Sequence, residues 1–281
     1  MSAEPQPAEQ ITQWNGRSGQ AWSQSVALMD QVLQPFEALL VDSITAGSGA
    51  RILDVGCGAG ATTLAAARRV GPAGAVVGVD ISEAMISAAR ARVQDTDAPV
   101  SFVIDDAQSA AFAPASFDLI MSRFGVMFFP DSVAAFTNLR RAARDSAALR
   151  FLCWRGIDQN PFMTTAERAA APLLPNLPAR QPDQPGQFAF ADEHRVRAIL
   201  DKSGWGDITI RPADVECTLP EEHLVRYFSQ FGVVGLALPD VDEATRTEVI
   251  ATVRAAFEPF VHADTVRFTA ACWSVEATAA H

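Results

Sequence analysis

Five short apolar stretches alternate with helix-length segments between residues 51 and 154, and this alternation restricts the fold more than any other feature of the chain. Each stretch is apolar at consecutive positions, which is typical of strands that are covered on both faces. Strands are predicted at 51–55, 75–79, 100–104, 117–122 and 148–154, with helices at 62–70, 82–93 and 132–144 between them. The pattern predicts an α/β fold with a mostly parallel sheet and helices on both faces.

The segments on either side of this region are less regular. A helix is predicted over 30–45, and the six prolines between 161 and 185 predict a loop with a short helix at 165–170. The later elements are predicted as a helix at 192–203, a strand at 208–211, helices at 221–231 and 243–257, and a strand at 265–275. We therefore divide the chain into an N-terminal helical segment (1–46), a central core (47–154) and a helical cap with closing strands (155–281).

The composition excludes several classes of protein. A net charge of −11 over 281 residues, without a basic patch, argues against a nucleic-acid partner. No apolar stretch approaches the ~20 residues that span a bilayer, and no secretory signal is visible at the N-terminus. The four cysteines and four histidines lack the spacing of metal ligands. We expect a cytoplasmic protein that does not insert into membranes and holds no metal.

A glycine-rich loop, GCGAG at residues 56–60, directly follows the first strand. Glycines let the chain turn sharply and bring backbone N–H groups close to a ligand at the N-terminus of the next helix. The loop lacks the third glycine of the GxGxxG spacing, because Ala61 and Thr62 follow it. Taken alone, the loop is also compatible with a tight strand-to-helix turn that serves packing only.

Carboxylates follow the second and third strands. Asp80 is placed to accept both hydroxyls of a ribose; the alternative role, capping the next helix, is already filled by Ser82. Asp105 and Asp106 follow the third strand, and a carboxylate beside the Ala107 N–H matches the donor and acceptor edge of adenine. Because the carboxyl ends of parallel strands share one edge of the sheet, these groups and the glycine loop are predicted to form one site.

Three sequence segments, ILDVGCGAG at 52–60, VDISEAM at 79–85 and FDLIMSRF at 117–124, occur in this order. Together they resemble the signatures of class I S-adenosylmethionine-dependent methyltransferases, most closely the ubiquinone/menaquinone-biosynthesis-type branch with its many small-molecule relatives. The resemblance covers about residues 12–154 and the later residues only in outline. It implies a Rossmann-like sheet of seven strands, mostly parallel with the last strand antiparallel, and a mainly helical cap. The chain departs from the family at 144–148, where RDSAA replaces a common Pro-Gly-Gly turn.

The resemblance also implies S-adenosyl-L-methionine as cofactor, S-adenosyl-L-homocysteine as product, and a set of binding residues. Asp54 and the loop backbone face the methionine part, Asp80 holds the ribose, and Asp106 accepts from the adenine amino group. Ser122 and Arg123 close the methionine side. The implied cofactor-binding residues are Trp22, Asp54, Gly56, Cys57, Gly58, Thr62, Thr63, Asp80, Ile81, Met85, Asp106, Ala107, Gln108, Ser122 and Arg123.

The N-terminal segment and the cap are predicted to cover the site where the methyl group is accepted. Trp14 and Trp22 lie in a segment that resembles one folding over the cofactor in these relatives, with an ordinary core position as the alternative. The large side chains of the cap suit a small hydrophobic or aromatic acceptor, or else form the core of the cap. These side chains are Trp154, Phe162, Met163, Phe188, Phe190, Tyr227, Phe228 and Phe231. His194 and His223 both fit solvated positions, so no catalytic base is nominated.

The function predicted from these features is methyl transfer to a small molecule by direct in-line displacement, which needs positioning and the exclusion of water. Two alternatives stay open at this point: a cofactor-binding protein without catalysis, and a NAD-dependent oxidoreductase. The second lacks its usual catalytic residues, because Tyr227 lies in the cap and Lys202 closes a helix. The acceptor, the methylated atom and the oligomeric state, a homodimer included, are not decided by the sequence.

Overall fold

The computed structural model describes residues 7–93, 96, 98–178, 180 and 184–279. Four parts of the predicted organisation lie outside the described residues: the first six residues of the N-terminal segment, residues 94, 95 and 97 of the core, residues 179 and 181–183 of the proline-rich loop, and the last two residues of the chain. Among the described residues, no helix is both long and apolar enough to cross a membrane.

An eight-stranded sheet forms the centre of the molecule. Its strands are β1 (Arg51–Val55), β2 (Ala75–Asp80), β3 (Val100–Ile104), β4 (Phe117–Arg123), β5 (Ala143–Trp154), β6 (Trp205–Pro220), β7 (Val261–His262) and β8 (Thr265–Ala279). The strand order is β3-β2-β1-β4-β5-β8-β6, and the two-residue β7 pairs with β8. The strands from β3 to β5 are parallel, whereas β8 is antiparallel to both β5 and β6. The predicted fold class is confirmed, with β7 as a short addition to the predicted seven strands.

Helices cover both faces of the sheet. They are α1 (Pro7–Asn15), α2 (Arg17–Gln24), α3 (Val26–Val41), α4 (Ala61–Val70), α5 (Glu83–Ala91), α6 (Ser132–Ala142), α7 (Pro161–Ala170), α8 (Glu193–Lys202), α9 (Leu224–Gln230), α10 (Gly232–Ala237) and α11 (Glu243–Ala256). Ile52 and Leu53 are consecutive in β1, and both are fully buried in different hydrophobic clusters. Because consecutive side chains of a strand point to opposite faces, both faces of β1 must be apolar, as its sequence is.

The hydrophobic core of the sheet continues into the N-terminal segment and the cap. Phe36 of α3 contacts both Phe124, just beyond β4, and Trp154 at the end of β5, with ring centroids 4.9 and 5.4 Å apart. Phe162 of α7 stacks on Phe268 of β8 at a centroid distance of 3.7 Å. One cluster of buried residues therefore extends from α3 through the sheet to the cap.

The predicted strand at 208–211 was too short, because β6 runs over Trp205–Pro220. β6 lies at the edge of the sheet, pairs with β8 alone, and has few fully buried residues. An edge strand does not need a continuous apolar run, and it tolerates a proline such as Pro212. The periodic signal on which the prediction depended is therefore weak along most of this strand.

Other boundaries also differ from the prediction. α7 begins at Pro161 rather than at residue 165, because a proline fits the first position of a helix, where its missing N–H is not needed. β5 begins at Ala143 rather than at residue 148, so the end of the predicted helix at 143–144 and the link before the predicted strand also belong to the strand, with Ser146 at a φ of +62°. α3 begins at Val26 instead of residue 30, and the six-residue α10 was not predicted.

Candidate active site

A cavity of about 950 Å³ opens at the carboxyl ends of β1, β2 and β4. The strand order reverses between β1 and β4, and in open α/β sheets this switch point is where ligands bind. Residues of the N-terminal helices and of the cap line the same cavity as the loops after these strands. The cavity therefore connects the predicted cofactor segments with the predicted acceptor region.

The glycine loop after β1 packs against the loop after β4. Gly56 has a φ of +66°, and a Cβ at this position would lie 2.7 Å from the Cα of Gly125. The N–H groups of Gly56 and Cys57 both donate to the Val79 carbonyl, at 2.9 and 3.1 Å. The first turn of α4 supplies the N–H groups that have no partner within the helix, and such groups form an anion site. The N-terminus of α4 therefore adds a partial positive charge to this part of the cavity, where Ala61 and Thr62 are lining residues.

Asp80 ends β2 and is tied to the backbone by both carboxylate oxygens. Oδ2 accepts a hydrogen bond from the Gly58 N–H at 2.9 Å, and Oδ1 accepts from the Ser82 N–H at 2.9 Å. Burial raises the pKa of this carboxyl, and the backbone hydrogen bonds oppose that shift. A carboxylate has about four lone-pair sites, so two stay free for the hydroxyls of a ribose. The Asp80 carboxylate is thereby fixed in position and can still accept hydrogen bonds from a ligand.

Asp54 is the most deeply buried carboxyl that lines the cavity, at 1% exposure. It accepts a hydrogen bond from Thr63 Oγ1 at 2.6 Å, and burial nevertheless raises its pKa to about 7. Arg123 lines the cavity as well and donates to the Leu33 carbonyl at 3.2 Å. Burial lowers the pKa of this guanidinium, while Glu37, Asp54 and Asp30 oppose the shift. The pair can face a zwitterionic amino-acid moiety, the carboxylate of Asp54 meeting an ammonium group and Arg123 meeting a carboxylate.

The loop after β3 forms the third wall. Asp106 Oδ1 accepts from the Gln108 N–H at 2.9 Å, and Oδ2 accepts from Ser109 Oγ at 3.3 Å. Ala107 is buried, and Asn138 Nδ2 donates to its carbonyl at 3.0 Å. The apolar side chains of Ile81 and Met85 line the same cavity. A carboxylate acceptor beside apolar side chains suits a planar ring with a polar edge, as in adenine.

The structure brings together all but three of the predicted cofactor-binding residues. Trp22, Asp54, Gly56, Cys57, Gly58, Thr62, Asp80, Ile81, Met85, Asp106, Ala107 and Arg123 line the cavity. Thr63, Gln108 and Ser122 do not line it. Thr63 donates to Asp54, the Gln108 side chain accepts from the Asp131 N–H, and Ser122 Oγ donates to the Val55 carbonyl. Each of these three side chains holds a lining residue or a loop in place.

The two tryptophans of the N-terminal segment line the cavity in addition to packing. Trp14 contacts Phe128 edge to face at 5.2 Å, and Trp22 contacts Phe231 of the cap at 5.3 Å. Asn15 joins this segment to the core, since its Nδ2 donates to the Ile81 carbonyl at 3.0 Å and its Oδ1 accepts from a backbone N–H at 2.9 Å. The sequence did not single out Asn15 as a linking residue, because an exposed asparagine carries no periodic signal.

The cap end of the cavity is mostly aromatic. All of the predicted cap side chains line it except Phe190, which is buried in the core against Phe136 and Phe151. Polar residues that the sequence did not indicate also line the cavity: Gln10, Gln13, Ser18, Glu167, Arg180, Gln184 and Gln187. His194, His223 and Lys202 do not line it. Among the described residues, no group of His, Cys, Asp and Glu is arranged to hold a metal ion.

The fold and the site define a Rossmann-like protein that binds a nucleoside-type ligand beside an apolar cavity. The family described as Methyltransferase domain matches residues 52–146. The chain is 38% identical to the aklanonic acid methyltransferase of Streptomyces sp. strain C5, over 41% of this chain and 55% of that protein. It is 34% identical to the demethylmenaquinone methyltransferase of Staphylococcus aureus, over 58% of this chain and 70% of that protein.

A solved structure, the YcgJ protein of Bacillus subtilis, superposes with a TM-score of 0.55 at 15% identity, over 87% of this chain and 98% of that one. At this identity the likeness concerns the fold alone. The chain spans about half the length of the first curated relatives it matches, 55% in the case of the Streptomyces protein. The sequence match and the site geometry agree, and the chain belongs to the class I S-adenosylmethionine-dependent methyltransferases.

Proposed function

We propose that this protein transfers a methyl group from S-adenosylmethionine to a small hydrophobic molecule held between the N-terminal segment and the cap. One observation carries the proposal: a single cavity is lined both by the cofactor segments of the family and by the aromatic cap. When bound, the cofactor supplies an activated methyl group, because the electron pair of the breaking C–S bond stays on a sulfur that becomes a neutral thioether. The two relatives named above are both methyltransferases with a named small molecule as substrate.

The proposed roles of the chain are binding, orientation and the exclusion of water. Asp80 accepts the ribose hydroxyls, Asp106 and Ala107 meet the adenine edge, and Asp54 with Arg123 holds the methionine end. Holding the two reactants in line can supply about 7–11 kcal/mol of the barrier. The aromatic walls keep water from the reacting atoms, which strengthens the electrostatic interactions inside the cavity.

The surroundings of the four cysteines support a reducing compartment, and we place the protein in the cytoplasm on that basis. Cys57, Cys153, Cys217 and Cys272 are all free and buried. Burial raises the pKa of each of these thiols, so they are kept as unreactive thiols. Such cysteines are typical of proteins that never meet an oxidising environment.

The test is a calorimetric titration of the protein with S-adenosylmethionine and, separately, with NAD(H). We expect binding of the first only, and a roughly ten- to hundredfold loss of affinity in Asp80→Ala, because hydrogen bonds to a charged group are lost. Asp145→Ala is the matched control, since Asp145 is exposed and does not line the cavity. Binding of NAD(H) instead would support the oxidoreductase, and tight cofactor binding without S-adenosylhomocysteine release in an acceptor screen would favour the non-catalytic alternative.

A further inference from the structure

Tyr227 is the only tyrosine of the chain, and it lies in the wall of the cavity at the cap end. Its ring packs against Phe162 of α7 at a centroid distance of 5.6 Å and against Phe231 at 5.7 Å. Phe231 in turn contacts Trp22 of the N-terminal segment. The tyrosine therefore stands where the cap and the N-terminal segment meet across the cavity.

The hydroxyl of Tyr227 makes no hydrogen bond with another described residue. Buried tyrosine hydroxyls usually find a partner, and burying one without a hydrogen bond costs about 1–3 kcal/mol. Gln10 Oε1 and Ser229 Oγ are the sealed side-chain oxygens without a partner among the described residues, and the Tyr227 oxygen is not one of them. It is therefore reachable from the cavity. Packing alone would be served equally well by phenylalanine, which fills the surrounding wall.

The protonation of this hydroxyl determines what it can bind. Burial raises the pKa of Tyr227 to about 12, with a smaller contribution from the neighbouring Cys217. Burial likewise raises the pKa of Cys217 to about 12. Both groups therefore stay protonated at neutral pH, and Tyr227 serves as a hydrogen-bond donor rather than as a base. Its partner must offer a lone pair, and an ionised oxygen forms the strongest such bond.

The cap also lacks a free base. Among the described residues lining the cavity there is no histidine or lysine, and the one carboxylate contributed by the cap, Glu167, accepts from Arg180 Nε at 2.7 Å. The Arg180 guanidinium lies over the ring of Phe188, 5.0 Å from its centroid. The other carboxylates of the cavity belong to the N-terminal segment, to β1 and β2, and to the loop after β3. An acceptor that needs deprotonation by the enzyme finds no group for it at the cap end.

From these observations we infer that the acceptor is an aromatic or otherwise apolar oxygen acid that arrives ionised, and that the Tyr227 hydroxyl donates a hydrogen bond to its anionic oxygen. The inference rests on the proposed function and names its substrate class. The ionised oxygen attacks the methyl carbon as the C–S bond breaks, so no proton has to be removed during the step. The positive sulfonium beside it favours an anion in the same cavity.

The test uses the complex with S-adenosylhomocysteine, so that binding is measured without turnover. The probes are 2-naphthoate, which carries an anionic oxygen, and 2-naphthylamine, which has the same ring system without it. We expect 2-naphthoate to bind more tightly than the amine, and Tyr227→Phe to weaken 2-naphthoate by about ten- to hundredfold while leaving the amine unchanged. Equal affinities of the two proteins for 2-naphthoate, an equal loss for the amine, or no binding of 2-naphthoate to the unchanged protein would each overturn the inference.

A spectroscopic measurement separates binding by the hydroxyl from a structural effect of the substitution. The visible absorption of bound 4-nitrophenol reports its ionisation, and a donor at the phenolate lowers its pKa. We expect that bound pKa to be about one unit lower in the unchanged protein than in Tyr227→Phe, which corresponds to a tenfold change. An identical bound pKa in both proteins would contradict the inference. The affinity of each protein for S-adenosylmethionine is measured alongside. If the unchanged protein does not bind S-adenosylmethionine, the proposed function itself is rejected.

Discussion

At the end of β1, the buried carboxyl of Asp54 has a pKa near 7, where a free aspartate would be ionised. Because burial has raised this pKa, the protonated form becomes populated in the free protein as the pH falls through 7. An ammonium group of the cofactor needs the ionised form. We therefore expect the dissociation constant of S-adenosylmethionine to be flat above about pH 8 and to rise by up to about tenfold per unit below pH 7.

Calorimetric titrations from pH 5.5 to 8.5 measure this dependence, with Asp54→Asn as the comparison. The amide cannot titrate, so its affinity should be weaker at pH 8 and nearly constant across this range. Asp80 also has a raised pKa, and Arg123 and Glu37 are the other charged groups that influence Asp54. If the pH dependence survives unchanged in Asp54→Asn, another group, with Asp80 the first candidate, is responsible.

A second prediction at the residue scale concerns two glycines with nearly the same backbone conformation. Gly56 and Gly47 have φ values of +66° and +67°, but a Cβ on Gly47 would meet nothing within 4 Å. Gly47→Ala should lower the free energy of unfolding by about 1–2 kcal/mol, because alanine must then adopt the left-handed conformation. Gly56→Ala adds a contact of 2.7 Å with the Gly125 backbone, and overpacking costs about a further 1–3 kcal/mol. Chemical denaturation measures the free energy of unfolding of both variants. Equal decreases would show that the loop accommodates the added methyl group at Gly56 without strain.

The residues that the sequence places at or near the ends of strands are found in the wall of the cavity. Asp54, Asp80 and Asp106 each end or follow an apolar run, and all three line the cavity. Sequence reasoning placed Thr63 and Ser122 in the same wall, although their side chains bond to protein groups behind it. Motif spacing identifies which segments meet at a site, but the direction of each side chain depends on hydrogen bonds across the fold.

At the scale of elements, α2 is held against the start of α5 by a very close approach. A Cβ on Gly19 would lie 1.8 Å from the Trp14 carbonyl and 2.9 Å from Ser82 Oγ, which donates to that carbonyl. Gly19→Ala must therefore displace α2 relative to Trp14 and Ser82, and α2 carries the cavity residues Ser18 and Trp22. We expect S-adenosylhomocysteine to dissociate about tenfold faster from this variant, and the free energy of unfolding to fall by about 1–3 kcal/mol, because the added methyl group overpacks a buried position.

Stopped-flow measurement of the dissociation rate tests this prediction, and Gln20→Ala is the matched control. Gln20 is the next residue on the same helix and is exposed. An alanine there adds helix propensity without a new contact, so the dissociation rate should stay the same. Equal rates for Gly19→Ala and the unchanged protein would mean that α2 does not retain the ligand.

The accuracy with which each element was predicted depends on how much of it is buried by neighbouring elements. β1 and β3 lie in the parallel part of the sheet, and their predicted bounds are those observed. About a quarter of the length of β6 was predicted, because an edge strand with few buried residues resembles a polar loop in sequence. α10 begins at Gly232 and is only six residues long, too short for a helical period to emerge.

At the scale of the whole molecule, one hydrophobic core runs through all three segments into which the chain was divided. One buried cluster includes Phe36 of the N-terminal segment, Phe151 of the sheet and Phe257 of the cap region. Sequence patterns show where regularity changes along the chain, but contacts between distant segments have no local signal. The segments are therefore expected to depend on one another for stability.

This shared core leads to a prediction about unfolding. We expect a single cooperative transition in urea, with tryptophan fluorescence and far-ultraviolet circular dichroism giving the same midpoint, because Trp22, Trp154 and Trp205 report on different segments of one cluster. S-adenosylmethionine at a hundred times its dissociation constant should add about 2.7 kcal/mol to the free energy of unfolding without changing the slope against urea. Asp80→Ala should lose most of that gain. Two separate transitions, of which the cofactor moves only one, would instead show that the cap and the sheet unfold independently.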